Sequence, residues 1–309
     1  RQTYLNLADW YLQLGVNDRA KSVLAAAPEK DDEMKYWLAY LHRNDENAQQ
    51  WLDSANAGSP LFVFPFRQES YEIMQWATQQ TNNWKPAYYL ALLNICFENR
   101  AKALQILKRI ASESNFAPLY VTLARLQNPA DTNDVLNDYL KAASIDSSDW
   151  RYGQYLTQFL LSQKDYQRAL QTVKPYFEKD NQNYIIGMLY AHCLMLNNKY
   201  IDAEKILDHI HILPFEGATQ GNLLFRQDKL MLALQLLQDK KYQEALKKVS
   251  ESREWPERLG EGKPYPDMIN NTIQNEIEQF IRNTMQSHHL NIDKIEFYKK
   301  QVKAFDKTS

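Results

Sequence analysis

Asp165-Tyr166-Gln167-Arg168-Ala169-Leu170 returns, in altered form, as Lys199-Tyr200-Ile201-Asp202-Ala203-Glu204. Tyr166 and Tyr200 stand 34 positions apart, and so do Ala169 and Ala203. The residues ahead keep step, Leu156 with Tyr190 and Leu160 with Leu194. A fixed period of this length marks one supersecondary unit stacked on copies of itself, because a single unit cannot bury its apolar face alone.

A bulky residue, a small one, then Tyr-x-x-Ala at this period resembles the tetratricopeptide repeat. In that family each unit is a pair of antiparallel helices; small side chains let the helices approach and aromatics fill the gaps. The opening of the chain follows the same order of bulky, small and turn residues with Tyr4, Leu7, Ala8, Tyr11, Gly15, Ala20, Leu24 and Ala27. Further helix pairs are predicted at 34–42 with 46–56, 86–97 with 100–110, 118–126 with 133–144, 150–162 with 166–177, and 184–196 with 200–211. A lone helix is predicted at 69–80. Another Tyr-x-x-Ala stands at Tyr242 and Ala245, 42 residues after Tyr200. The resemblance implies an all-α fold, a right-handed α-solenoid of about seven helix pairs. The array is expected over 1–255, followed by a loop and capping helices over 256–309.

Three strings break the pattern: 59–67 (SPLFVFPFR), 212–221 (ILPFEGATQG) and 255–266 (WPERLGEGKPYP). Pro60 and Pro65 with three phenylalanines exclude an ordinary helix over the first. Either it is an apolar connector folded onto the core, or it is a recognition loop using Phe64, Phe66 and Arg67. Together the strings resemble the C-terminal repeat region of large bacterial proteins that carry an upstream β-rich, carbohydrate-related domain. That resemblance implies a segment of a longer polypeptide, with carbohydrate contact through the upstream domain.

Composition narrows the function classes. Aromatics make up 12% of the 309 residues, and Lys plus Arg (36) nearly balance Asp plus Glu (38), for a formal net charge of −2. Such a chain has ample core material and lacks the basic surplus that phosphate binding needs, so nucleic acid is not the expected partner. No run reaches the ~20 apolar residues a bilayer span requires, so no membrane partner is expected either. Cys96 and Cys193 sit in apolar helical stretches and read as small buried side chains. His209 and His211, two apart, diverge on a helix, and no Cys or carboxylate stands at the i+4 spacing of a metal pair. No metal or other cofactor is expected.

The helix positions that grip C-terminal carboxylates in some tetratricopeptide arrays hold Tyr88, Leu92 and Ile95, then Met188, His192 and Met195, then Leu230, Leu234 and Leu237. No carboxylate clamp can be built from them. The expected function is therefore a non-catalytic scaffold for a protein partner or for the chain's own upstream domain. Its contact residues are expected among Phe64, Phe66, Arg67, Met188, Phe215, Glu216, Leu230, Trp255, Glu257, Lys263 and Tyr265. The alternative is an accessory or catalytic domain of a carbohydrate-active enzyme. Glu216, Glu257 and Glu261 beside Phe, Trp and Tyr would supply its acids, since apolar neighbours raise a carboxyl pKa. The plainer reading of those glutamates is helix capping or pairing with Arg226, Arg258 or Lys263.

Overall fold

A computed structural model describes residues 1–213, 220–265 and 268–305. Its residues form two compact units that meet between Asp146 and Ser147. The first contains α1 (Gln2–Gln13), α2 (Asn17–Ala25), α3 (Asp32–Leu41), α4 (Asn47–Ala57), α5 (Gln68–Gln80), α6 (Trp84–Cys96), α7 (Arg100–Ile110), α8 (Ala117–Leu126) and α9 (Thr132–Ile145). The second contains α10 (Trp150–Ser162), α11 (Tyr166–Lys179), α12 (Tyr184–Leu196), α13 (Tyr200–His209), α14 (Gln220–Gln238), α15 (Tyr242–Glu251), α16 (Thr272–Ser287) and α17 (Ile292–Lys303). The fold is all-α. Each unit is a solenoid-type stack of helical hairpins in which successive helices pack on one another, with α5 inserted singly between α3 and α6.

Short polar side chains start many of these helices. Asp31, Asn83, Asn99, Asp149, Asp165, Asn183 and Asn291 each accept a backbone N–H of the first turn, as helix caps do. The turn inside the hairpin is just as regular. Gly15, Glu98, Lys164, Asn198 and Lys240 all have positive φ, and each follows the first helix of a pair. At Lys164 the N–H bonds back to Leu161 O at 3.0 Å and the next N–H, of Asp165, to Leu160 O at 3.0 Å. The same pair of bonds recurs at the other four positions. This is the left-handed helix stop that satisfies two orphan carbonyls and reverses the chain. Only Gly15 among the five adopts it without steric cost.

The periodic alanines sit where the two helices of a hairpin cross. Ala20, Ala103, Ala169, Ala203 and Ala245 are all fully buried. Gly153 and Gly187, also 34 apart, permit a second close approach. A Cβ on Gly153 would lie 2.2 Å from the Tyr176 ring, and one on Gly187 2.4 Å from Ile210 Cδ1. The first unit adds a polar core. Trp37 Nε1 donates to Ser70 Oγ at 3.0 Å, Ser70 donates to the buried Glu33 at 2.7 Å, and Tyr89 donates to the buried Asp32 at 3.1 Å. Burial, set against the attraction of Lys85, holds the Asp32 carboxyl above the usual range.

One sequence expectation needs correcting here. Cys193 is buried, but Cys96 is exposed at the last residue of α6, where the helix face turns to solvent. Of the capping helices expected over 256–309, the first begins at Thr272.

Candidate functional site

Three surfaces carry the residues singled out by sequence. The first is the 59–67 loop. Val63 N–H closes a turn onto Pro60 O at 3.3 Å, and Phe62, in the third position of that turn, has a φ of 62°. That position normally belongs to Gly or Asn, and holding a bulky aromatic there costs roughly 1–3 kcal/mol. Beyond it the chain alternates, with Val63, Pro65 and Arg67 buried while Phe62 is 82% exposed, Phe64 62% and Phe66 51%. Arg67 is thus an anchor and not a contact residue as expected. Its guanidinium donates to Gln2 and Asn6 of α1 at 2.5 Å each and stacks 4.5 Å from the Phe66 ring centroid.

The second surface joins the other two irregular strings. Ile212 pairs with Leu259 in a parallel bridge, Ile212 N–H donating to Arg258 O at 2.8 Å. Leu259, Ile210, Ile212 and Phe225 form a small core, with Met188 packed against it. Beside this core lies a cleft of about 370 Å³ lined by ion pairs. Lys229 reaches Glu204 at 2.5 Å and Glu251 at 3.4 Å; Lys248 reaches Glu204 at 2.7 Å and Glu251 at 2.8 Å. Burial opposes ionisation of Glu204, but the bonds from Lys229 and Lys248 win and hold its pKa below the ordinary value. With Arg258 donating to Leu207 O and Ile210 O, the cluster bolts α13, α14, α15 and the loop together. Its charges are spent on one another.

The third surface is a groove of about 620 Å³ in the second unit. Leu161 from α10, Leu189 from α12 and Leu223 from α14 are half-buried along its floor, with Phe305, just beyond the end of α17, also lining it. Gln158, Gln220 and Gln227 place side-chain amides among these apolar groups. His192 also faces the groove, its pKa lowered by burial, so it is neutral at physiological pH.

The expected residues do not converge on one place. Leu230 is fully buried, as are Leu234 and Leu237, on a helix packed by α13, α15 and α17. Leu230 is therefore core and not a partner contact. Met188 belongs to the loop core. Trp255 donates to Glu261 O at 3.1 Å, bracing its loop, while Glu257, Lys263 and Tyr265 are exposed. Phe215 and Glu216 lie outside the described residues. Sequence reasoning missed Leu161, Leu189 and Leu223. The first two sit on recognised helices, but Leu223 lies in the early turns of the 19-residue α14, which the 42-residue step concealed.

With this geometry in hand, known proteins can be compared. A tetratricopeptide-repeat family model matches residues 160–211. That segment spans the end of α10, all of α11 and α12, and α13, so the 34-residue repeat is of the tetratricopeptide type. Among solved structures, a tetratricopeptide repeat protein from Parabacteroides merdae shares 13% identity at a TM-score of 0.38, covering 92% of this chain and 100% of its own. The C-terminal part of a TPR repeat-containing protein from Cytophaga hutchinsonii shares 11% at 0.47, covering 79% and 92%. A MamA fragment from Desulfovibrio magneticus RS-1 shares 16% at 0.35, covering 59% and 96%. No protein of curated function matches the chain.

Proposed function

We propose that this chain is a non-catalytic interaction module whose binding face is the groove between α10, α12 and α14. The supporting observation is the groove's lining. Three leucines from three successive first helices leave apolar area in water, while the interleaved glutamine amides can pair with a backbone that would otherwise be desolvated unpaired. The ligand this favours is an extended protein segment of apolar side chains and little charge. It is carried by another protein or by a domain on the same polypeptide. The groove lacks the cationic pair that would hold a free carboxylate, so the ligand's terminus is not the recognised feature.

An array of short peptides, varied in hydrophobicity and charge, tests this reading. Apolar extended sequences should bind wild-type protein and lose binding to a Leu189→Glu/Leu223→Glu variant. Equal binding by the variant, or preference for acidic C-terminal tails, removes the groove from consideration.

A further inference from the structure

The groove already holds part of the chain itself. α17 packs on α16 and also reaches back to α14, and its end lines the groove with Val302, Lys303 and Phe305. Its one apolar stripe, Ile295, Tyr298, Val302 and Phe305, follows the three- and four-residue spacing of a helix face and is buried. At the groove end of that stripe the contacts are those the groove offers a ligand. Val302 and Phe305 bring apolar side chains to the lining, and Val302 O accepts from Gln227 Nε2 at 3.1 Å. One groove amide is therefore taken by the chain's own backbone. Leu224 and Met231 of α14 line the groove and are buried, while Leu161, Leu189 and Leu223 are half-buried. The apolar lining is covered in part and open in part.

α17 is fastened differently from its neighbours. Ion pairs from Lys229 and Lys248 tie α13, α14 and α15 together. Among the described residues no ion pair joins α17 to another helix; Lys299 pairs with Glu296 of α17 itself at 2.8 Å. The polar ties to α14 are the Gln227 bond and one from Lys299 to Gln238 at 3.2 Å. Apolar and ring contacts supply the rest, such as Tyr298 5.6 Å from Phe280 of α16. A helix of 12 residues is marginal alone, so the place of α17 depends on that single stripe. Asp293, Lys294, Glu296, Lys300 and Lys303 are exposed, which leaves its outer face charged.

Resting on the groove reading above, we infer that α17 is a strap across the groove, an internal competitor that a protein ligand displaces from α14. The ligand takes the Gln227 amide and the lining that Val302 and Phe305 occupy. Its release breaks no ion pair between helices. The apparent affinity of the groove is then reduced to the fraction of molecules whose strap is open.

Peptide binding by a loosened variant, Ile295→Ser/Tyr298→Ser, tests this. Both side chains are buried under α17 and neither lines the groove, so the strap is weakened and the binding face left intact. The variant should bind the apolar peptides of the array about tenfold more tightly than wild type. Adding Leu189→Glu/Leu223→Glu should abolish that binding. Hydrogen exchange on wild type supplies a second measurement that needs no variant to fold. Saturating peptide should speed amide exchange in α17 and slow it in α10 and α12. Equal or weaker binding by a loosened variant that is folded by circular dichroism overturns the strap and leaves the groove reading standing. So does slower exchange in α17 with peptide bound, which makes α17 a fixed wall of the site. If no peptide binds either wild type or the loosened variant, the groove reading falls and the strap with it.

Discussion

The five left-handed helix stops show how a single residue fixes the direction of the chain. Glu98, Lys164 and Lys240 hold a conformation that disfavours any side chain with a Cβ, at roughly 1–2 kcal/mol each;. Glycine there removes that strain but gives back about 0.5–1 kcal/mol of backbone entropy. Lys164→Gly and Lys240→Gly should therefore each stabilise the protein by a few tenths to about 1 kcal/mol, read as an upward shift in urea midpoint. The exposed side chains at these positions take no part in the core, so nothing is lost to offset the gain. Phe62→Gly should show the same sign. Of these stops only the one at Gly15 was legible in the sequence, because the usual glycine marker is present only there. Asn198 was the nearest substitute.

At the scale of helices, the alanine register was legible because it is local: both partners of each crossing fall within one 34-residue period. Ala169 and Ala203 are fully buried as that register requires. Enlarging either to Leu should overpack the crossing and cost about 1–3 kcal/mol. Gly187→Ala makes a sharper test, since its Cβ would meet Ile210 Cδ1 at 2.4 Å and Phe177 at 3.5 Å. It should lower the urea midpoint although alanine is the better helix former by about 1 kcal/mol. A raised midpoint would mean that the Ile210 side chain swings aside. What the sequence hid was non-local. Leu230 reads as a groove residue by position, yet it is fully buried on α14, a helix on which α17, some 70 residues on, also packs, Gln227 donating to Val302 O at 3.1 Å. Periodicity reports which face is apolar, not which distant helix will pack on it. The bridge between Ile212 and Leu259 follows from chain order, since the two strings flank the α14–α15 pair. The alternation within 59–67 was readable only as composition until Val63 and Pro65 were seen buried.

At the scale of the molecule, buried carboxyls make stability depend on pH, and besides Asp32 in the first unit two stand out, one in each unit. In the second unit Asp228 is fully buried on α14, and neither carboxylate oxygen has a hydrogen-bond partner among the described residues. Burial, reinforced by the nearby Glu204 charge, pushes its pKa up to about 8. In the first unit burial pushes Asp138 up to about 6, despite the bond it accepts from Gln127. Both acids hold a proton in the folded chain that they release when unfolded, so each contributes stability that is full below the ordinary aspartate pKa. That contribution is lost as pH rises, until about 6 for Asp138 and about 8 for Asp228;. Glu204, Glu251 and Glu278 oppose this at the acid end, because their lowered pKa values make the folded state lose stability as they protonate. Between pH 6 and pH 8 those glutamates are ionised in both states and Asp138 is largely spent, while His192, its pKa lowered by burial, acts in the opposite sense near the ordinary histidine value of 6.5, so above about pH 7 Asp228 governs the slope in the second unit. The second unit should therefore unfold at lower urea as pH is raised across that window. Asp228→Asn, which keeps the shape and cannot ionise, should flatten the dependence and raise the midpoint most at the alkaline end. An unchanged slope in the variant would mean that water or a rearranged Lys229 reaches the carboxylate and lets it ionise in the folded chain.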